Sequence, residues 1–179
     1  MLNSSGHRVA TIALGGGAGN VQYDAGSRRI LVDVQTRNEV AVIDPRTNRV
    51  VRRLRLAGCV TNHSLLVDAP RRLAFITCEG NAKLLILDLR TMKVTGAFQV
   101  GDGPDVLALD AGLHRLYVSS ESGVVAVFAE TKHGVKSLGL AFLAGAAHTV
   151  GVDPRTHLVY FPLQSGSKGR PELLIMRPT

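Results

Sequence analysis

Residues 65–78 read LLVDAPRRLAFITC, and the same pattern returns as VQYDAGSRRILVDV from residue 21, LALDAGLHRLYVSS from 107 and VGVDPRTHLVYFPL from 150. The aspartates that anchor it, Asp24, Asp68, Asp110 and Asp153, are separated by 44, 42 and 43 residues. A second register follows each copy: EVAVIDPRTNRVVRRLRLAG at 39–58, KLLILDLRTMKVTGAFQVGD at 83–102, the looser VVAVFAETKHGVKSLGLAFLAG at 124–145, and ELLIMRPT at 172–179. Short runs rich in Val, Ile and Leu, bounded by Gly, Pro, Asn and Asp, are strand signals. Each unit thus reads as four strands, here A to D, with turns such as Asp44-Pro45 between them; Pro presets φ for a turn and Asp can bond the backbone ahead of it.

Four strands per unit of about 43 residues is the arithmetic of a β-propeller. The fold expected is all-β: four tandem blades of four-stranded antiparallel sheet in one domain, residues 1–179, with blades at about 19–58, 59–102, 103–145 and 146–179. The opening HRVATIALGGG resembles the strand D segments RVVRRLRLAG and KVTGAFQVGDG, whereas the last unit ends after its strand C. Residues 8–14 are therefore a candidate fourth strand for the last blade. Either this closes a four-bladed ring, or the chain is part of a seven- or eight-bladed one, or two chains share a ring as a homo-oligomer through open propeller edges. Unpaired edges otherwise invite aggregation.

The segments LAFITCEGNAKLLILDLRTMKV, ILVDVQTRNEVAVIDPRTNRV and LYVSSESGVVAVF resemble the YVTN-type β-propeller repeat family along nearly the whole chain. The first half of that family's signature is matched at Leu116 to Ser120 and Phe75 to Glu79, and the second half at Val40 to Asp44 and Leu84 to Asp88. The fourth unit departs from it at Pro162 to Arg170, where a Gly- and Ser-containing loop replaces the short linker. The resemblance implies kinship with surface-layer and extracytoplasmic binding proteins and, more distantly, with quinoprotein amine dehydrogenase-like propellers. It implies a periplasmic or extracellular setting, although Met1 to Arg8 lack the basic and apolar regions of a signal peptide. It does not imply one chemistry, because a fold carries many functions.

In a propeller, strand A lines the central channel, and the loops entering A and joining B to C open on one face. Five residues before each anchoring aspartate stand Gly19, His63, Asp105 and His148; eleven after it stand Gln35, Glu79, Glu121 and Gln164. His63, Asp105 and His148, with Glu79 and Glu121 beside them, form the candidate ligand-binding set at the channel mouth. His63, Asp105 and His148 are also the candidate ligands of a divalent cation such as zinc, calcium or copper. A hydrated channel mouth is the plainer account of polar side chains there. His7, His114, His133 and His157 fall in turns and read as surface residues.

Cys59 and Cys78 are the only cysteines and fall on one face of the same blade. A disulfide between them would close a loop of about 20 residues, worth roughly 3 kcal/mol in an oxidising compartment; two free thiols in a cytosolic protein are the alternative. The glycine-rich GGGAGN, with Gly15, Gly16, Gly17 and Gly19, is followed by a strand instead of the helix a phosphate cradle requires, and reads as the turn from D to A. Ser64, Ser119 and Ser120 lack a nucleophile elbow.

A net charge of +7 and the cluster Arg49, Arg52, Arg53 and Arg55 permit DNA binding, but none of the eight aromatics lies among those arginines. No apolar run approaches the roughly 20 residues of a membrane span. The repeats carry structural residues without repeated catalytic ones. The function expected is a module binding a protein or small-molecule ligand without catalysis of its own. A metal-dependent lactonase, lyase or dehydrogenase-like enzyme is the first alternative, and a DNA-binding propeller the second.

Overall fold

A computed structural model describes residues 5–132, 134–166 and 169–178. Among them lie three four-stranded antiparallel meanders and one of three strands. The first comprises β1 (Ala18–Asp24), β2 (Arg29–Val34), β3 (Glu39–Asp44) and β4 (Arg49–Arg55); the second β5 (Asn62–Asp68), β6 (Leu73–Cys78), β7 (Lys83–Asp88) and β8 (Lys93–Gln99). The third comprises β9 (Pro104–Asp110), β10 (Arg115–Ser120), β11 (Val124–Thr131) and β12 (Gly134–Phe142), and the fourth β13 (Gly151–Asp153), β14 (Leu158–Leu163) and β15 (Glu172–Met176). This is a β-propeller architecture of four blades. No helix of the described residues is long and apolar enough to cross a membrane.

Register repeats as faithfully as sequence. Each anchoring aspartate pairs with the first residue of the next strand: Asp24 with Arg29, Asp68 with Leu73, Asp110 with Arg115 and Asp153 with Leu158. The third and fourth strands of each complete blade slip register at one point, beside Ile43, Leu87 and Phe128. Such bulges add twist, which propeller blades need.

Side chains alternate across each sheet, so the second and third blades each bury one apolar set toward the preceding blade and another toward the following one. Leu31, Val40 and Val42 of the first blade meet Leu65, Ala74, Ile76 and Leu85 of the second. Phe75, Leu84 and Ile86 of the second meet Leu116, Val118 and Phe128 of the third. Tyr117 and Val125 of the third meet Val159, Phe161 and Leu163 of the fourth. The core therefore lies between sheets, and the innermost strands β1, β5, β9 and β13 stand side by side.

The anchoring aspartates explain their recurrence. Each closes the turn after its strand: Asp24 accepts from Gly26 N and Ser27 Oγ, Asp110 from Gly112 N and Leu113 N, and Asp153 from Arg155 N and Thr156 Oγ1. The same carboxylate can also receive a basic residue from the following blade, four positions after that blade's own aspartate. Arg72 bonds Asp24, and His157 Nδ1 lies 2.8 Å from Asp110. That fourth position is left-handed throughout, at Arg28, Arg72, His114 and His157 with φ of 55–60°. Between the second and third blades the arrangement differs. Glu130 stands against Asp68, with Arg71 Nε at 3.3 Å and His114 Nδ1 at 3.5 Å from its carboxylate. Burial first, and then the adjacent Asp68, push the Glu130 carboxyl up.

One expectation changes. His157 is a half-buried seam residue, not a surface one, because the anchoring aspartate of the neighbouring blade reaches it. Among residues 8–14 the structure describes one bridge, at Arg8, and the fourth blade holds the three strands β13, β14 and β15. His133 lies outside the described residues.

Candidate functional site

The residues expected at the channel mouth stand where the innermost strands lose regular pairing. The ladder between β5 and β6 skips from Asn62 to Leu65, leaving His63 and Ser64 out of register with β6. Ser64 N donates to Thr77 Oγ1 of β6, and other polar groups here turn to neighbouring blades. Asn20 of β1 donates to the His63 carbonyl at 3.0 Å, and Ser64 Oγ donates to the Asp105 carbonyl of β9. His63 and Asp105 are thus strand residues, second in β5 and β9, rather than loop residues. His148 precedes β13.

The turns joining the second and third strands supply the rim. In the first two blades these are short 3-10 turns, Gln35–Arg37 and Glu79–Asn81, and Glu121 begins the equivalent turn of the third. They are tied to the loops before the innermost strands: Glu79 N donates to Thr61 O, and Glu121 N to Gly103 O. GGGAGN does the same in the first blade, where Gln35 N donates to Gly17 O and Gly17 N to Thr36 Oγ1. Left-handed φ of 77° at Gly15 and 63° at Gly103 is easy for glycine.

These two sets of residues meet in one chain across four blades. Gln35 Nε2 lies 2.6 Å from His63 Nδ1, His63 Nε2 3.0 Å from Asp105 Oδ1, Asp105 Oδ2 2.6 Å from His148 Nδ1, and His148 Nδ1 3.3 Å from Glu121 Oε1. Glu79 Oε2 stands 3.6 Å from His63 Nδ1. With Gln35 donating to Nδ1, His63 donates from Nε2, and Asp105 accepts an imidazole on each oxygen. All five expected site residues come together. Gln35 occupies the position equivalent to Glu79 and joins them; Asn20 and Ser64, which hold the strands in place, carried no signal beyond their own polarity.

The expected metal ligands were His63, Asp105 and His148. The described cluster able to converge on one ion is Asp105, Glu121 and His148, whose ligand atoms lie within 4.8 Å of one another. His63 sits on the opposite oxygen of Asp105 and would orient it. Two ligands on tetrahedral zinc, with bonds of about 2.0–2.1 Å, stand roughly 3.3 Å apart, so an ion would have to open the 2.6 Å His148–Asp105 bond.

Beside the chain lies a cleft of about 530 Å³ bordered by Asn20, Gln22, Gln35, His63, Ser64 and Asp105. A second, mostly apolar cleft of about 400 Å³ opens between the third and fourth blades, against Tyr117, Leu138, Phe161 and Met176. Cys59 and Cys78 form a disulfide with Cα atoms 5.3 Å apart, fastening the loop before β5 to the end of β6. Arg53, one of the four clustered arginines, is engaged by Glu39. Deeper in the first seam, Asp33 accepts from Asn62 Nδ2 at 2.7 Å, and burial pushes its carboxyl up to about 7 against the lowering effect of that bond.

No family model matches the sequence, and no curated protein matches it. Solved structures do. Hydrazine synthase from Kuenenia stuttgartiensis aligns with a TM-score of 0.78 and 12% identity, over 96% of this chain and 49% of that one. A protein described as a candidate 6-phosphogluconolactonase from Bacteroides uniformis aligns at 0.73 and 10%, over 89% and 55%. The Cps50 (Swd1) β-propeller domain of Myceliophteria thermophila aligns at 0.67 and 14%, over 90% and 54%. The chain thus spans about half the length of the propellers it matches. At such identities the likeness is one of fold.

Proposed function

We propose that this chain is a YVTN-type propeller unit whose channel mouth binds a donor-rich ligand, a polyol or the ammonium or guanidinium group of a partner, without transforming it. The carrying observation is the chain Gln35–His63–Asp105–His148–Glu121, which crosses all four blades beside a cleft. Three carboxylates, Glu79, Asp105 and Glu121, gather here in a protein of net charge +7. They form a local acceptor surface, and the exposed rim glutamates are free to turn toward a cation. The mutual bonds hold the imidazoles in place, which lowers the ordering cost of binding.

Isothermal calorimetry with L-arginine and with D-glucose tests the reading. Binding of at least one, weakened tenfold or more by Asp105→Ala and by His63→Ala in folded protein, is expected. Heat of binding unchanged by both substitutions, or none with either probe, would defeat it.

The convergence of Asp105, Glu121 and His148 favours a second reading, a metal-dependent lactonase, in which an ion polarises a lactone carbonyl or activates water. Zinc-dependent hydrolysis of a phosphogluconolactone that is lost in His148→Ala would replace the binding reading. Chelator-insensitive protein without turnover removes the enzyme.

A further inference from the structure

Three seams between blades reveal the rule by which blades of this chain join, and both ends of the stack display half of that rule. In the seams, strand A of a later blade presents the residue three before its aspartate to the earlier blade; Leu65 does so and is 4% exposed. Val21 holds the same place in the first blade and is 59% exposed, with Tyr23 at 55%. On the opposite face, Leu84 and Ile86 of KLLIL are 0% and 1% exposed against the third blade. Their counterparts in ELLIM of the fourth blade, Leu173 and Ile175, are 56% and 52% exposed. Strand faces with interior composition thus stand open at both ends.

The polar half of the rule is divided the same way. In two of the three seams the aspartate of an earlier blade receives the left-handed basic residue of the later one, as Asp24 receives Arg72 and Asp110 receives His157. Arg28 is that basic residue in the first blade, left-handed at φ 55° and exposed. Asp153 is that aspartate in the fourth, with bonds to its own turn from Arg155 N and Thr156. The two ends are complementary in charge and in apolar character.

We propose that a second copy of this chain occupies both ends. Arg28 of each copy meets Asp153 of the other, and Val21 and Tyr23 pack on Leu173 and Ile175, so that two chains make an eight-bladed ring with twofold symmetry. Such head-to-tail contact closes after two copies when the rotation allows, and otherwise runs on as a filament.

Light scattering of the purified chain decides the matter. A single particle of twice 19.1 kDa is expected; a monomer, which would leave the ends to other blades or to closure within the chain, or an open-ended series of larger species, overturns the proposal. A charge exchange tests the named pair. Arg28→Asp alone and Asp153→Arg alone each set like charges at both junctions and should shift the protein to monomer while circular dichroism shows retained strand. Mixed in equal amounts, the two should recover the dimer, because the mixed dimer restores opposite charges at both junctions. Failure of the mixture to recover it, with both variants folded, removes the Arg28–Asp153 contact.

Discussion

Asp24 shows how one side chain can serve two levels of structure. Burial pushes its carboxyl up, but bonds from Arg72 and Ser27 outweigh this and hold it below the ordinary carboxylate value. A depressed native value means that the stabilisation is complete above the unfolded value of 3.8 and lost as pH falls through the native one. Arg72→Ala should therefore cost about 3 kcal/mol at pH 7 by urea denaturation, since it strands a buried carboxylate, and much less near pH 2. Asp33 has the reverse sign. Its carboxyl is raised to about 7, so native protein holds the proton more tightly and stability declines as pH rises from about 4 to 7. Asp33→Asn should raise stability by roughly 1–3 kcal/mol at pH 8 and leave it nearly unchanged at pH 4. The spacing of Asp24, Asp68, Asp110 and Asp153 was legible in the sequence; their partners were not. A basic residue four positions later looks like turn decoration until its left-handed backbone carries it to the blade before.

Strands were the most legible feature, because Val-, Ile- and Leu-rich runs ending at Asp turns recur in register, and each complete blade folded as one meander. The bulges were not legible. Nothing in Asn62-His63-Ser64-Leu65 announces that the ladder breaks there, yet that break puts His63 on the mouth and sends Ser64 to Asp105. Position counting found His63, Asp105, His148, Glu79 and Glu121 because the repeat superimposes its own loops, whereas the choice of which three atoms converge depends on distances only coordinates supply. The disulfide between Cys59 and Cys78 fastens this same region. Its reduction should lower stability by roughly 3 kcal/mol, read as a drop in melting temperature with added dithiothreitol. In calorimetry it should also weaken any ligand held by His63, since the loop before β5 would be released.

For the molecule entire, the three seams are chemically unequal. Two are closed by a carboxylate and a base, whereas the seam between the second and third blades carries Glu130 against Asp68, with Arg71 and His114 alongside. The raised Glu130 carboxyl keeps a proton in the native state, so this seam's contribution falls as pH rises through the neutral range. Hydrogen exchange at pH 6 and pH 9, corrected for intrinsic rate, should show protection dropping along β1, β5 and β9 before β13, because Asp33 in the first seam and Glu130 in the second both give up a proton in this range; equal loss at all seams would contradict this. Glu130→Gln should remove the loss along β9 and leave that along β1. Protons held on Asp33 and Glu130 therefore make two of the three joints sensitive to mild alkali, and the joint between the third and fourth blades, closed by Asp110 and His157, becomes the last hinge to give way.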